Sequence, residues 1–258
     1  MTSNAMTSEG RPRLGILMLD SVTMCLPGNV ANAASYGVPV LYQKVPGATG
    51  ERVLRGDPAL TASLVEAARE LVRRGAVGIS SNCGFAASYQ PAIAAAVPVP
   101  VFVSSLLQVP LVAATLPTRG KVGILTFDAA QLSGRHFRGV GWDPDRIPVA
   151  VAGVRGLAAW EALAASEADI DPAAMCEDLI RVGRQLLATE PTVRAIVLEC
   201  AGMCPFAPEL QAALRLPIFD LNSLIHYMLR ALHYPPYEGV IAPSLEVGLS
   251  LARVSPRR

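Results

Sequence analysis

Lysine is nearly missing from this chain: Lys44 and Lys121 stand against 20 arginines in 258 residues. Chemistry through a lysine Schiff base is confined to those two. Lys121 follows Arg119-Gly120 at a turn just before a strand, which argues against a pyridoxal site. Histidine is also scarce and scattered, at His136, His226 and His233. Zinc sites need about four ligands, so no metal is expected even though Cys200 and Cys204 lie four residues apart. No Gly-x-Gly-x-x-Gly follows the first strand and no P-loop occurs, so nucleotide chemistry lacks its motif. Twenty-two basic residues against 21 acidic ones leave a formal charge of +1. That gives no electrostatic footprint for nucleic acid or an anionic membrane. Charged residues make up only 17% and hydrophobic ones 52%, which excludes a disordered chain. Five cysteines are too few for a disulfide scaffold. The odd count fits a reducing cytosol, and a cytoplasmic location is expected.

The longest absence is of charge. Residues 75 to 118 contain no Asp, Glu, Lys or Arg. A spanning helix wants about 20 unbroken apolar residues. This stretch is instead cut by Pro91, Pro98, Pro100, Pro110 and Pro117, by Gly75, Gly78 and Gly84, and by two Ser pairs. It reads as strand, turn, short helix, repeated, inside an α/β domain whose strands are covered on both faces. At the start, Met1 to Ala5 reads as an expression scar ahead of Met6, and no secretory signal follows.

Strand candidates fall at 13–19, 39–45, 76–81, 99–103, 121–126, 147–153, 193–199 and 216–219. Helical patterns lie between them. One follows Asp57-Pro58 and closes on Arg73, Arg74 and Gly75, with a capping residue, proline in the first turn and glycine at the end. Another follows Asp171-Pro172, and a last helix is expected from Ser244. Alternation of this kind predicts parallel sheets. The chain also repeats itself. Gly15-Ile16-Leu17-Met18-Leu19-Asp20 matches Gly123-Ile124-Leu125-Thr126-Phe127-Asp128, 108 residues on, and Val99-Pro100-Val101-Phe102 matches Leu216-Pro217-Ile218-Phe219, 117 residues on. Cys83 and Cys200 share that 117-residue offset, and each ends a strand. Three motifs in register predict two similar Rossmann-like α/β lobes with parallel sheets, related by a pseudo-two-fold axis, with a cleft between them. The expected division is 6–118 for lobe 1, completed by 235–258, and 119–234 for lobe 2.

In an open α/β sheet, ligands bind beyond the carboxyl ends of the strands. Small residues follow each cysteine there, Gly84 after Cys83 and Ala201-Gly202 after Cys200. They let the backbone turn sharply so that N–H groups face an anion. Two thiols facing each other across a cleft suit a proton exchange at carbon, one removing a proton and the other supplying one. A free thiol is only a few per cent ionised at neutral pH, and turn amides favour the thiolate. A carbanion beside a carboxylate needs preorganised donors. Ser81, Asn82, Ser104, Ser105 and Thr126, at strand ends, are the candidates. Asp20 is a candidate to orient Cys83 or to cap a helix. Glu199 adjoins Cys200, but neighbours on a strand point to opposite faces, so it receives no role. Phe85 and Tyr89 are candidates for pocket or core, and Cys25 for a loop near the cleft.

The motifs Gly15 to Ser21, Ser80-Ser81-Asn82-Cys83-Gly84-Phe85, Val101 to Leu106, Gly123 to Thr126 and Leu198-Glu199-Cys200-Ala201-Gly202-Met203 resemble the aspartate/glutamate/hydantoin racemase superfamily over nearly the whole chain. The resemblance implies no organic cofactor and a cysteine from each lobe acting as acid or base, positions matched by Cys83 and Cys200. It implies an amino acid or hydantoin racemase, with maleate cis-trans isomerase and arylmalonate decarboxylase as sister activities. Glutamate racemases carry Asn-Thr after the first cysteine and Thr-His after the second, where this chain has Gly84-Phe85 and Ala201-Gly202. The pattern is therefore closer to the hydantoin branch, and Cys200 lacks a following histidine to ionise it. The expected partner is a small carboxylate or hydantoin-like molecule, and the family implies a homodimer or higher homo-oligomer. The rival from another class is a two-lobed small-molecule-binding protein without catalysis.

Overall fold

The computed structural model describes residues 12–21, 24, 26–117, 120–165 and 170–234. It is an α/β protein with two parallel sheets. The first holds β1 (Arg13–Met18), β2 (Val40–Lys44) and β3 (Ala76–Ser81) in the order β2-β1-β3, and Val101 adds a single parallel bridge to Ile79 beyond β3. The second holds β4 (Lys121–Thr126), β5 (Val149–Gly153), β6 (Val193–Leu198) and β7 (Ile218–Phe219) in the order β5-β4-β6-β7. With the bridge counted, both sheets have one topology, and even the register irregularity recurs, at Arg13/Leu14 and at Lys121/Val122. The repeat read in the sequence is thus a repeat of sheet plans.

The strands form where apolar runs are covered on both faces. In β4 to β6 the residues Val122, Ile124, Leu125, Ala195, Ile196, Val197 and Leu198 are wholly buried. The helices supply the cover. In the first half these are α1 (Gly50–Leu54), α2 (Thr61–Arg73), α3 (Gln90–Ala96) and α4 (Val109–Thr115). In the second half they are α5 (Gly134–Gly139), α6 (Ala158–Ala164), α7 (Pro172–Thr189), α8 (Ala207–Leu214) and α9 (Leu221–Leu232). A 3₁₀ turn, Pro58–Leu60, leads into α2. Asp57 caps that turn by accepting from the Ala59 N–H, as the Asp57-Pro58 signal implies. Asp171 caps α7 in the same way, accepting from Ala173 and Ala174. The charge-free stretch resolves into β3, a 3₁₀ turn with α3, the Val101 bridge, and a second 3₁₀ turn with α4. Among the described residues no helix is long and apolar enough to cross a membrane.

Two helices cover the sheet of the other half. The turn before α4 and α4 itself (Ser105–Gln108, Val109–Thr115) lie against β6 and β4. In return α9 lays Leu221, Leu224, Ile225 and Leu229 on Leu14, Ile16 and Phe102 of the first sheet. The start of each crossing is capped alike, by Ser104 accepting from the Leu106 N–H and by Asp220 accepting from the Ser223 N–H. The helix expected from Ser244 and the 235–258 completion of lobe 1 lie outside the described residues, as does Cys25.

Candidate active site

Both cysteines sit where a third strand ends. β3 stops at Ser81, and Cys83 caps a 3₁₀ turn over Gly84–Tyr89. β6 stops at Leu198, and Cys200 caps a 3₁₀ turn over Ala201–Phe206. The turns aim amides at the sulfurs: Phe85 and Ala86 N–H at Cys83, Gly202 and Met203 N–H at Cys200. These donors favour a thiolate, but burial outweighs them. Burial, and after it the negative charge of Glu199, pushes the Cys83 thiol far up. The same two causes push Cys200 up to about 12. Burial therefore holds both as thiols.

Glu199 lies between the two turns and is completely buried. Its Oε2 accepts a hydrogen bond from Thr126 Oγ1 at 2.7 Å, while Oε1 has no partner among the described residues. Burial raises its acid to about 8, against the opposing pull of the Thr126 hydroxyl. Gly84 makes room for it: a Cβ there would stand 2.0 Å from the Glu199 carbonyl oxygen and 2.4 Å from Oε1. Sequence alternation argued Glu199 away from the site, but alternation holds only within a strand, and β6 has already ended at Leu198. An acid directly after the apolar run Ala195 to Leu198 was the available signal.

A cavity of about 150 Å³ opens between the halves, lined by both cysteines together with Asn82, Gly84, Ala201 and Gly202. Its remaining wall is mostly apolar, formed by Leu19, Met24, Leu54, Phe85, Phe127 and Leu163, with Ser21, Asn29 and Glu51 as polar members. No lysine or arginine lines it among the described residues. Phe85 is a wall residue and packs edge-on against buried His136, ring centres 5.0 Å apart. Tyr89 instead donates its hydroxyl to Asp57 O at 2.9 Å, away from the cavity.

The other expected substrate contacts do not reach the cavity, because their polar atoms are engaged in the frame. Ser81 Oγ donates to Val103 O at 2.7 Å and lies 2.8 Å from Cys83 O. Ser105 Oγ donates to Leu198 O at 2.6 Å, bracing the end of β6. Ser104 is the helix cap and Thr126 serves Glu199. Asp20 pairs with Lys44 at 2.5 Å and accepts from the Gly47 N–H; the lysine holds its carboxyl below the usual range. Asn82 lines the cavity while its Oδ1 accepts from the Leu19 N–H at 2.9 Å. Cys204 is buried and hydrogen-bonds to Asp220, and no metal-binding cluster occurs among the described residues.

A profile of the family described as Asp/Glu/Hydantoin racemase matches residues 38–226. The chain belongs to this family. The chain is 30% identical to a dimethylsulfoniopropionate lyase of Durusdinium sp. clade D, over 84% of this chain and 74% of that protein. It is 29% identical to dimethylsulfoniopropionate lyase 5 of Emiliania huxleyi over 91% of this chain, which spans about half (48%) of that protein. Among solved structures, the fold is similar to allantoin racemase from Klebsiella pneumoniae, with a TM-score of 0.59 at 17% identity over 86% of this chain and 87% of that one. It is also similar to a Gly74Cys mutant of arylmalonate decarboxylase, with a TM-score of 0.57 at 19% identity over 86% and 93%. At those identities the likeness is one of fold. The family match together with the lyase-named relatives places the chain in an enzyme superfamily.

Proposed function

We propose that this chain is a cofactor-independent enzyme that removes a proton from the carbon alpha to a carboxylate, with Cys83 and Cys200 as its acid and base. The observation that carries the reading is the pair of thiols at equivalent strand ends, each under two backbone amides and both opening into one cavity. The fate of the carbanion then sets the reaction class. We favour β-elimination from a sulfonium carboxylate. The thiolate takes the alpha proton, a carbon–carbon double bond forms, and the bond from the beta carbon to sulfur breaks. A neutral dialkyl sulfide leaves, acrylate remains, and the proton returns to water. Two relatives named dimethylsulfoniopropionate lyase support this outcome. So does a wall lined by no lysine or arginine among the described residues, although Arg155 behind it already engages the Glu51 carboxylate and the Phe127 ring. A cation in that cavity also lowers the cost of a thiolate beside it.

The second reading is racemisation of an amino acid or hydantoin, favoured by the presence of a thiol on each half: inversion needs a proton donor opposite the acceptor, whereas elimination needs one base. Proton NMR in D₂O separates the two. The enzyme is incubated with dimethylsulfoniopropionate, amino acids, 5-substituted hydantoins, maleate and arylmalonates, beside Cys83→Ala and Cys200→Ala. Vinyl signals of acrylate with wild type, lost in at least one variant, establish the lyase. Loss of an alpha-proton signal without elimination, abolished in both variants, establishes the racemase. Alkene isomerisation or loss of a carboxylate moves the assignment to a sister activity. Absence of every reaction, with ordinary alkylation rates at both cysteines, defeats both readings in favour of a binding protein.

A further inference from the structure

The proton transfer proposed above begins from a thiolate, yet both thiols rest protonated in a buried site, and no histidine follows Cys200 to ionise it. One acid in the molecule is unexplained by packing. Glu199 is wholly buried with one carboxyl oxygen unpartnered among the described residues, a costly state for a polar group with only a structural task. It immediately precedes Cys200. Across the cleft its Oε1 fills the space where Gly84, the residue after Cys83, has no side chain. It therefore adjoins both cysteine turns at once. We infer that Glu199 is the ionising partner of the two thiols: its unpartnered Oε1 accepts the proton that Cys83 or Cys200 releases, so that an S–H bond breaks, an O–H bond forms and the cluster keeps a single negative charge.

The surroundings fit one charge shared among three acids. Glu199 accepts from Thr126 on β4 and stands against Gly84 on the first turn, and its charge acts on both Cys83 and Cys200. Ser105 holds the carbonyl of the preceding Leu198. None of these groups is a cation. The Glu199 carboxylate opposes ionisation of either thiol, so charge on the thiol and charge on the carboxylate exclude each other. Glu199, at about 8, is a stronger acid than Cys200, at about 12. Once the cluster ionises, near pH 8 and above, the charge therefore lies on Glu199 and passes to a sulfur when the occupied cavity favours it. Glu199 does not line the cavity. It is a positioning residue that acts through the cysteines, and its role rests on the proposed reading that the thiols do the chemistry.

The test follows thiol reactivity and turnover in parallel across pH, in wild type, Glu199→Gln, Glu199→Asp and Thr126→Val, with thermal unfolding as a check on folding. Iodoacetamide alkylation of Cys83 and Cys200, read by mass spectrometry, needs no substrate. In wild type it rises with pH through an inflection near 8, where the carboxylate becomes available. In Glu199→Gln that inflection vanishes and turnover falls about 10²- to 10⁴-fold, the usual worth of a positioned proton acceptor, while Glu199→Asp restores the inflection. Should Glu199→Gln fail to fold, Thr126→Val removes the hydroxyl that favours the carboxylate and shifts the inflection to higher pH. An inflection that survives in Glu199→Gln, or one that Thr126→Val leaves in place, overturns the inference while the thiol chemistry stands. An inflection that depends on Glu199 in an enzyme without turnover upholds the ionising partner and overturns the proposed function.

Discussion

The two cysteine turns hang from the same backbone hydrogen bond and differ in the side chains set around it. The amide preceding Cys83, that of Asn82, donates to Leu17 O at 3.0 Å; the amide preceding Cys200, that of Glu199, donates to the equivalent Leu125 O at 2.8 Å. The frame is duplicated to that level. At the same place one half carries a neutral amide bonded to the Leu19 N–H, and the other an acid bonded to a threonine hydroxyl. The position of Thr126 is held by Met18 in the first half, and that of Gly84 by Ala201 in the second. A Cβ is accommodated at Ala201 but not at Gly84, because the acid of the second half fills the space in the first. A symmetric scaffold thus holds an asymmetric charge, and the two thiols are chemically unequal although their folds match.

The asymmetry can be broken from either side. Gly84→Ala drives a Cβ into the Glu199 backbone and costs about 3 kcal/mol or more of stability in urea unfolding. Swapping the acid is the next largest effect. The Glu199 acid is raised to about 8 in the folded chain from its ordinary 4.5. The native state holds its proton where the unfolded state does not, so stability is greatest below 4.5 and falls as pH rises toward 8. Buried His136, lowered from 6.5 to about 4, acts in the opposite sense and gives its full stability only above 6.5. Between about pH 6.5 and 8 Glu199 therefore acts without that opposition. Wild type loses on the order of 2 kcal/mol across that window and Glu199→Gln stays level, as read by unfolding midpoints at each pH. The converse glycine change, Ala201→Gly, costs about 1 kcal/mol or less through backbone entropy. The smallest effect lies at Asp20, whose half-buried carboxyl is lowered by Lys44. Its contribution is present above the ordinary carboxylate range and fades as pH falls through its lowered value, so Asp20→Asn has its full, small effect at neutral pH and none in strong acid.

Much of this arrangement is legible in the sequence. The apolar runs fall within a residue or two of β1 to β6, and the 108- and 117-residue offsets are the offsets between equivalent strands. The two cysteines and their small neighbours line the cavity as their strand-end positions imply. The serines are less legible, because a hydroxyl at a strand end serves a backbone carbonyl as readily as a ligand. Ser81 and Ser105 turn to Val103 O and Leu198 O instead of the cavity. Glu199 is hidden by the length of β6: with the strand drawn one residue longer the acid faces away, and with the strand ending at Leu198 it packs behind the cavity against Gly84 and Thr126. The apolar lining from Met24, Leu54, Phe127 and Leu163 comes from loops and short helices with no pattern of their own. The crossing of α4 and α9 is equally silent, since an apolar stripe says that a helix is covered but not by which sheet.

That crossing has a consequence for synthesis. All three strands of the first sheet and Phe102 leave the ribosome early, yet the face formed by Leu14, Ile16 and Phe102 is covered by α9, whose last residue is Leu232. At about 5 to 20 residues per second that face waits on the order of ten seconds for its lid. The nascent first half is an unfinished sheet with an oily side, a natural client for a chaperone, and severing the gene between the halves leaves each fragment holding the other's cover.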